Sequence, residues 1–194
     1  EVMVSELIFG CGNVGGIMIH SDPDTMHKAV TRALDAGINW FDTAPQYGNG
    51  NSERNLGRIL KDIPENPFIS TKVKIDPENR QDIYGQIEKS LHESLDRLKV
   101  DYIDLFQLHN GIGSQTKGSS LSTVDAMGRE GAFDAMEKLR AQGLIKWIGM
   151  TALGDTALCR LLIKSKRIDT AQIYYNMLNP TAEHGIPDTS FEQV

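Results

Sequence analysis

Residues 37–57, with the sequence GINWFDTAPQYGNGNSERNLG, decide the fold. The largely apolar run 38–41 predicts a short strand that ends at Asp42, where a Thr-Ala-Pro turn begins. Tyr47 lies in the loop that follows, and a helix is predicted to begin near Ser52. The segment therefore predicts a carboxylate at the C-terminal end of a strand and a tyrosine in the loop beside it.

The rest of the chain alternates short apolar runs with longer stretches of helical period. The runs predicted as strands are residues 7–11, 38–41, 68–72, 102–109, 144–151 and 170–174. Helices are predicted over 23–36, 52–60, 80–98, 132–142 and 156–164, with another beginning near Phe191. Residues 110–130 are rich in Gly, Ser and Thr and are predicted as a long mobile loop on the face where the strands end.

Length and composition are those of one globular domain. The chain has 194 residues, of which 40% are hydrophobic and 24% charged, and its net charge is -6. This charge argues against a nucleic-acid groove or an anionic membrane surface as a partner. No apolar run reaches about 18 residues and no signal-peptide pattern is present, so we expect a cytoplasmic protein. Cys11 and Cys159 are far apart and lack CxxC spacing, which favours reduced thiols over a disulfide or a zinc site.

The string Gly10–Gly15 matches the GxGxxG dinucleotide-binding fingerprint, but its context does not fit that motif. In the motif the last glycine opens a helix directly, so that the helix N-terminus holds pyrophosphate. Here Asp22 and Pro23 predict a helix that begins later. The acidic residue about 20 positions on, Asp35, lies within that helix and not at the end of a second strand. A Rossmann fold is therefore disfavoured.

Repeated strands of near-continuous apolar character, separated by helices, indicate a parallel sheet with helices outside it. Such a sheet is either a (β/α) barrel or a doubly wound fold. Asp42, Lys72 and His109 each close a different predicted strand, and Tyr47 lies in a loop over the same rim. This placement favours the barrel, because a barrel's active site is built from the ends of several strands. In a doubly wound sheet the groups would cluster at one switch point.

Five ordered motifs resemble the aldo-keto reductases. They are FDTAPQYGNGNSERNLG at 41–57, STK at 70–72, YIDLFQLHN at 102–110, WIGMT at 147–151 and AQIYYN at 171–176. The resemblance runs from Leu7 to the last residue. It implies an α/β protein with a (β/α)8 TIM barrel that binds NADP(H), or NAD(H), across its C-terminal rim. The implied activity is the reversible reduction of an aldehyde or ketone to an alcohol.

The resemblance also implies a catalytic tetrad of Asp42, Tyr47, Lys72 and His109. Tyr47 would be the general acid, Lys72 the cation that favours its phenolate, and Asp42 the partner that orients Lys72. His109 would donate a hydrogen bond to the substrate oxygen. Tyr47, His109 and Asn110 would contact the substrate. Each residue alone also fits a structural role, since Asp42 with Lys72 could be a structural ion pair and His109 a core histidine with satisfied hydrogen bonds.

Cofactor contacts implied by the resemblance lie at several strand ends. Gln172 would bind the carboxamide of the nicotinamide, Gly12 and Asn13 would approach its ribose and diphosphate, and Asp42 would also contact the cofactor. Thr151 stands where many members have serine and keeps a hydroxyl group. The asparagine that follows it in those members is replaced here by an alanine, which removes one amide contact.

The chain is shorter than a complete barrel. A (β/α)8 barrel takes about 250 residues and eight strands, whereas six strands are predicted here. We therefore expect residues 1–194 to be a single barrel domain that is truncated at the N-terminus and lacks the last β/α units. Residues 110–130 would be its substrate-side loop. Open strand edges would favour self-association.

Two other classes of function stay open. One is a redox-sensing or scaffold protein, or a catalytically impaired fragment, that keeps the barrel and binds the nicotinamide cofactor. The other is a metal-dependent lyase or hydrolase that uses Asp42, Asp104 and His109. No second histidine at a strand end supports a metal site, so we expect no metal. The expected partner is a small carbonyl substrate, with no nucleic acid and no membrane.

Overall fold

The computed structural model describes residues 2–178, and their main feature is a six-stranded parallel sheet. The strands in this part of the chain are β1 (Phe9–Gly10), β2 (Trp40–Asp42), β3 (Phe68–Val73), β4 (Ile103–Leu108), β5 (Gly111–Gly113), β6 (Ser120–Ser122), β7 (Ile145–Thr151) and β8 (Thr170–Gln172). The helices are α1 (Ile17–His20), α2 (Pro23–Asp35), α3 (Asn51–Leu60), α4 (Ile83–Leu98), α5 (Thr123–Met127), α6 (Ala132–Ala141) and α7 (Thr156–Lys164). A 3₁₀ segment, Pro77–Asp82, precedes α4.

The sheet follows chain order, β1-β2-β3-β4-β7-β8, and every neighbouring pair is parallel. It is strongly curled, because side chains from strands that are not neighbours meet on its inner face. Gln172 on β8 reaches Asp42 on β2 at 3.3 Å, and the rings of Trp40 and Trp147 stack with centroids 6.0 Å apart. The predicted α/β architecture is confirmed as an incomplete (β/α)8 barrel with six of its strands.

Helices pack on the outer face of the sheet and bury an apolar layer there. α4 shows why such a helix forms. The carboxylate of Asp82 accepts a hydrogen bond from the backbone N of Gly85 at 3.0 Å, which satisfies a free donor at the helix N-terminus. This cap explains why the α-helix begins at residue 83, whereas the sequence predicted that it begins at residue 80. The buried stripe of α4 consists of Ile83, Ile87, Leu91, Leu95 and Leu98.

Five strands are shorter than the sequence predicted, and the edge strands β1 and β8 lose the largest share of their predicted length. β1 takes up only two of residues 7–11, because Leu7 and Ile8 are exposed. β8 ends at Gln172 and not at 174. The helix predicted near Phe191 lies outside the described residues. The glycines after β1 form a turn that leads into the four-residue helix α1, so the long helix that holds pyrophosphate in the GxGxxG fingerprint does not follow them directly.

The segment 110–130 is more ordered than predicted. It contains the parallel pair β5–β6 and the helix α5. The apolar side chains of Ile112, Leu121 and Ala126 are at most 1% exposed and anchor the segment to the body of the protein. The hydroxyl of Ser122 accepts from the backbone N of Asp125 at 3.1 Å and caps α5. The high Gly and Ser content therefore marks tight turns and a helix cap here. No helix within residues 2–178 is long and apolar enough to cross a membrane.

Candidate active site

Asp42 and Lys72 form an ion pair on the inner face of the sheet. Nζ of Lys72 donates to Oδ2 of Asp42 at 2.5 Å and to the backbone O of Thr43 at 2.9 Å. The Lys72 side chain is 1% exposed and that of Asp42 is 13% exposed. A buried ammonium group needs such acceptors, because an unpaired charge in the interior is strongly destabilising. The pair fixes the cation at the C-terminal rim.

The second carboxylate oxygen of Asp42 accepts hydrogen bonds from three strands. Oγ of Ser70 donates to Oδ1 at 2.7 Å, and the amide nitrogens of Gln107 and Gln172 donate to it at 3.3 Å each. Within the described residues, Oε1 of Gln107 is buried and has no hydrogen-bond partner. Asp42 is therefore held through both oxygens, with Oδ2 directed to Lys72.

Tyr47 and His109 lie beside this ion pair. Tyr47 is in the loop between β2 and α3, and its ring centroid is 5.1 Å from Nζ of Lys72. His109 directly follows β4, and its ring meets that of Tyr47 edge-on with centroids 6.4 Å apart. Gly12 lies close behind the phenol ring, where a Cβ would be 3.4 Å from two ring carbons. All four members of the predicted tetrad thus meet at one rim.

The surroundings of His109 favour its neutral form. Burial lowers the pKa of the imidazole, and the charge of Lys72 lowers it further. Nδ1 lies 3.2 Å from Oε1 of Gln46, and because an amide oxygen only accepts, this contact requires the tautomer with the proton on Nδ1. A neutral imidazole has one donor and one acceptor nitrogen, so it can hydrogen-bond both to Gln46 and to a ligand.

A cavity of about 320 Å³ opens beside these groups. Its lining residues are Tyr47, Lys72, His109, Thr151, Leu153, Gln172, Ile173 and Tyr174. Two residues predicted to contact the cofactor, Thr151 and Gln172, are thus brought to the tetrad. Gly12 is half-buried against Tyr47 and Asn13 is exposed, and neither lines the cavity.

Asn110 is not brought to the cavity, contrary to its predicted contact with substrate. Its side chain is fully buried. The amide oxygen accepts from the backbone N of Ile75 at 2.8 Å, and the amide nitrogen donates to the backbone O of Ile75 at 2.8 Å and of Ser119 at 3.2 Å. Asn110, two residues after the end of β4, therefore links the chain just after β3, at Ile75, to Ser119 in the segment 110–130.

Sequence reasoning missed four polar contacts around the tetrad, made by Ser70, Gln107, Trp40 and Gln46. For two of them, strand periodicity gives the face of the strand but not the contact. Trp40 lies two positions before Asp42 and Ser70 two positions before Lys72, so each pair shares one face of its strand. Nothing in the sequence shows that these faces meet.

The residues of the alternative metal site do not come together. Asp104 is buried, and its Oδ2 accepts from the backbone N of Ile69 at 3.0 Å. Burial raises the pKa of this carboxyl group. Across residues 2–178, no group of three or more His, Cys, Asp or Glu side chains is placed to hold a metal ion. The two cysteines in this range, Cys11 and Cys159, are free and buried.

Comparison with known proteins gives a family match over most of the chain. The model of the Aldo/keto reductase family matches residues 6–192. D-threo-aldose 1-dehydrogenase from a Pseudomonas species is 31% identical over 212 residues, which cover 95% of this chain and 61% of that protein.

Solved structures share the fold. Glycerol dehydrogenase from Gluconobacter oxydans superposes with a TM-score of 0.72 at 27% identity, covering 94% of this chain and 55% of that one. An aldo-keto reductase from Klebsiella pneumoniae in complex with NADPH has a TM-score of 0.71 at 24% identity, covering 94% and 58%. The chain thus spans between 55% and 61% of the length of these three proteins.

Proposed function

The chain belongs to the aldo/keto reductase family, and we propose that it carries the active site of an NADP(H)-dependent reductase that converts an aldehyde or ketone to an alcohol. The observation that carries this proposal is the buried Lys72 ammonium group, held by Asp42 and 5.1 Å from the Tyr47 ring. A cation beside a phenol stabilises the negative charge that develops when the phenol gives up its proton.

Tyr47 would deliver this proton to the carbonyl oxygen as general acid. Lys72 would stabilise the resulting phenolate, and Asp42 would keep the ammonium group in place. His109 lies beside the phenol and would donate from Nε2 to the same substrate oxygen, which aligns the carbonyl for reaction. In the neutral ring this requires Nδ1 to be the acceptor, with the Gln46 amide turned so that its nitrogen donates to Nδ1. In the alcohol-oxidising direction the same groups would accept the proton.

The exposed rim fits a nicotinamide cofactor, which supplies the hydride when bound. Gln172 donates through its amide nitrogen to Asp42 at 3.3 Å, and this leaves its amide oxygen as an acceptor for a carboxamide N–H group. Thr151 offers a hydroxyl group in the same cavity. Gly12 and Asn13, after β1, would contact ribose and diphosphate. The Klebsiella structure is a complex with NADPH, and we propose NADP(H), or NAD(H), as the cofactor of this chain.

The substrate proposed is a small carbonyl compound, which would share the cavity beside the tetrad with the nicotinamide. The segment 110–130 would border the substrate, and we propose that residues 1–194 belong to one barrel domain. We place the protein in the cytoplasm on its composition.

The test is the loss of NADPH absorbance with a panel of small aldehydes, using the protein that carries this sequence. Tyr47→Phe removes the phenolic O–H and is expected to lower kcat about 10²- to 10⁴-fold, with cofactor affinity retained. Tyr102→Phe is the matched control, because Tyr102 is exposed and lies before β4, at the opposite end of the strand from His109. Turnover that persists in Tyr47→Phe would exclude Tyr47 as the proton donor. Tight cofactor binding without turnover by the unmodified protein would favour the redox-sensing alternative.

A further inference from the structure

We propose that Ser70 and Trp40 are positioning residues that orient the carboxylate of Asp42 toward Lys72. The inference rests on the proposed reductase chemistry and deepens it. The indole Nε1 of Trp40 donates to Oγ of Ser70 at 3.0 Å, and Oγ of Ser70 donates to Oδ1 of Asp42 at 2.7 Å. We call these three residues the Trp40–Ser70–Asp42 relay.

The direction of the relay follows from its chemistry. An indole N–H can only donate, so the Ser70 oxygen must accept from Trp40. The single hydroxyl proton of Ser70 is then free for Asp42, and a carboxylate only accepts. No other arrangement of protons satisfies both contacts.

The relay is held rigidly in the interior. Ser70 is 1% exposed and Trp40 is 8% exposed. Asp42 and Ser70 are direct partners in the β2–β3 register, and Trp40 is the partner of Phe68. The rings of Trp40 and Phe68 are also in contact, with centroids 5.3 Å apart. Packing thus limits the rotation of the indole and of the hydroxyl that it fixes.

Ser70 is the closest of the donors that contact Oδ1. Its contact is 2.7 Å, whereas those from Gln107 and Gln172 are 3.3 Å. Hydrogen bonds to charged groups weaken as they lengthen, so loss of the Ser70 hydroxyl would free the carboxylate to rotate. The Lys72 ammonium group, bonded to Oδ2, would then move relative to the Tyr47 ring. A displacement of about 1 Å at a catalytic group can cost about 10²-fold in rate.

The experiment is a double-mutant cycle on kcat with Ser70→Ala, Trp40→Phe and the double variant. Ser70→Ala is expected to lower kcat about 10-fold and Trp40→Phe about 3-fold, with the KM for NADPH within about twofold. Because Trp40 acts through Ser70, Trp40→Phe is expected to have no further effect on kcat in the Ser70→Ala background. Trp147→Phe is the matched control, since it makes the same change in the same aromatic cluster without removing a hydrogen bond to Ser70.

Two kinetic outcomes would overturn the relay: an unchanged kcat in Ser70→Ala, or an equal loss from Trp40→Phe in both backgrounds. The side-chain nitrogen NMR resonance of Lys72 gives a readout that does not need turnover. The chemical shift of this resonance is expected to change in Ser70→Ala and to be unchanged in Trp147→Phe. If the unmodified protein reduces no carbonyl compound, the proposed function fails, and the NMR comparison alone decides the relay: a shifted resonance supports it and an unshifted one rejects it.

Discussion

At the scale of single residues, the site is organised by one buried charge and its acceptors. Lys72 is 1% exposed, so its ammonium group depends on Asp42 and the backbone O of Thr43 for the hydrogen bonds that water would otherwise supply. The same contacts that serve the proposed chemistry therefore also stabilise the fold. Stability measurements can test them without a known substrate.

Removal of only one partner of the pair is expected to be costly. Lys72→Met leaves the Asp42 carboxylate largely buried without its cation and should lower the free energy of unfolding by about 3–5 kcal/mol. The double variant Lys72→Met with Asp42→Asn removes both charges and should recover part of that loss. Urea unfolding curves of the two variants provide the measurement. Equal midpoints for the single and the double variant would contradict the expectation that the unpaired Asp42 carboxylate destabilises the fold.

His109 is expected to make stability depend on pH. Folding lowers its pKa through burial and the charge of Lys72, so the unfolded chain binds a proton more readily than the folded one. Stability should therefore fall as the pH drops through about 6.5, the ordinary value for histidine, toward the lowered value in the folded state. His109→Gln should reduce the difference between urea midpoints at about pH 7.5 and about pH 5.5. His92→Gln, on the exposed face of α4, is the control that should leave this difference unchanged.

The sequence was sufficient to predict the position of the tetrad but not that of Asn110, Ser70 and Trp40. Asp42, Lys72 and His109 could be predicted at one rim because each ends a predicted strand, with Tyr47 in a loop beside them, and the resemblance supplied the role of each residue. Asn110 was misplaced, because a polar side chain after a strand can turn to the backbone as readily as to a ligand. Only the fold shows that its amide pairs with both backbone groups of Ile75. Ser70 and Trp40 were missed because their partners lie on a neighbouring strand, at a register that the sequence does not give.

At the scale of elements, helices α3 and α4 are joined by a buried ion pair and a close backbone contact. Glu53 on α3 is fully buried, and its carboxylate accepts from Nε of Arg97 on α4 at 2.5 Å and from Oγ1 of Thr71 on β3 at 2.6 Å. From the sequence, Glu53 is only the residue after the predicted start of a helix near Ser52. In the structure it connects two helices to the strand that carries Lys72.

Gly57 allows this close packing. A Cβ at Gly57 would lie 2.5 Å from the backbone O of Leu98 and 2.6 Å from that of Arg97, and backbone atoms cannot turn away as a flexible side chain can. Gly57→Ala should therefore force α3 and α4 apart and lower the free energy of unfolding by about 1–3 kcal/mol, although alanine is the better helix former. Gly10→Ala is the control, because a Cβ there meets nothing within 4 Å. A Gly57→Ala variant as stable as the original chain would contradict the packing argument.

At the scale of the whole molecule, the central strand of the six-stranded sheet is more deeply buried than its edge strands. All residues of β4 are buried, and this strand pairs with β3 on one side and β7 on the other. In the described part of the chain, β1 and β8 each pair with a single strand, and Thr170 and Gln172 on β8 are exposed. The tetrad spans this gradient, with Lys72 and His109 near the centre and Asp42 one strand from the β1 edge.

Hydrogen exchange should reveal this gradient. The amide hydrogens of β4, and of the β3 residues that pair with it, can exchange only when the whole sheet opens. Those of β8 can exchange through local opening, because few apolar contacts hold that strand. Exchange measured by mass spectrometry, corrected for intrinsic rates, should be at least about 10²-fold slower in β4 than in β8. Cofactor addition should slow exchange in β8, since Gln172 would contact the bound group. Equal protection of β4 and β8 without cofactor would mean that the edge strand opens only together with the centre of the sheet. The rim that carries the candidate site would then be as rigid as the core.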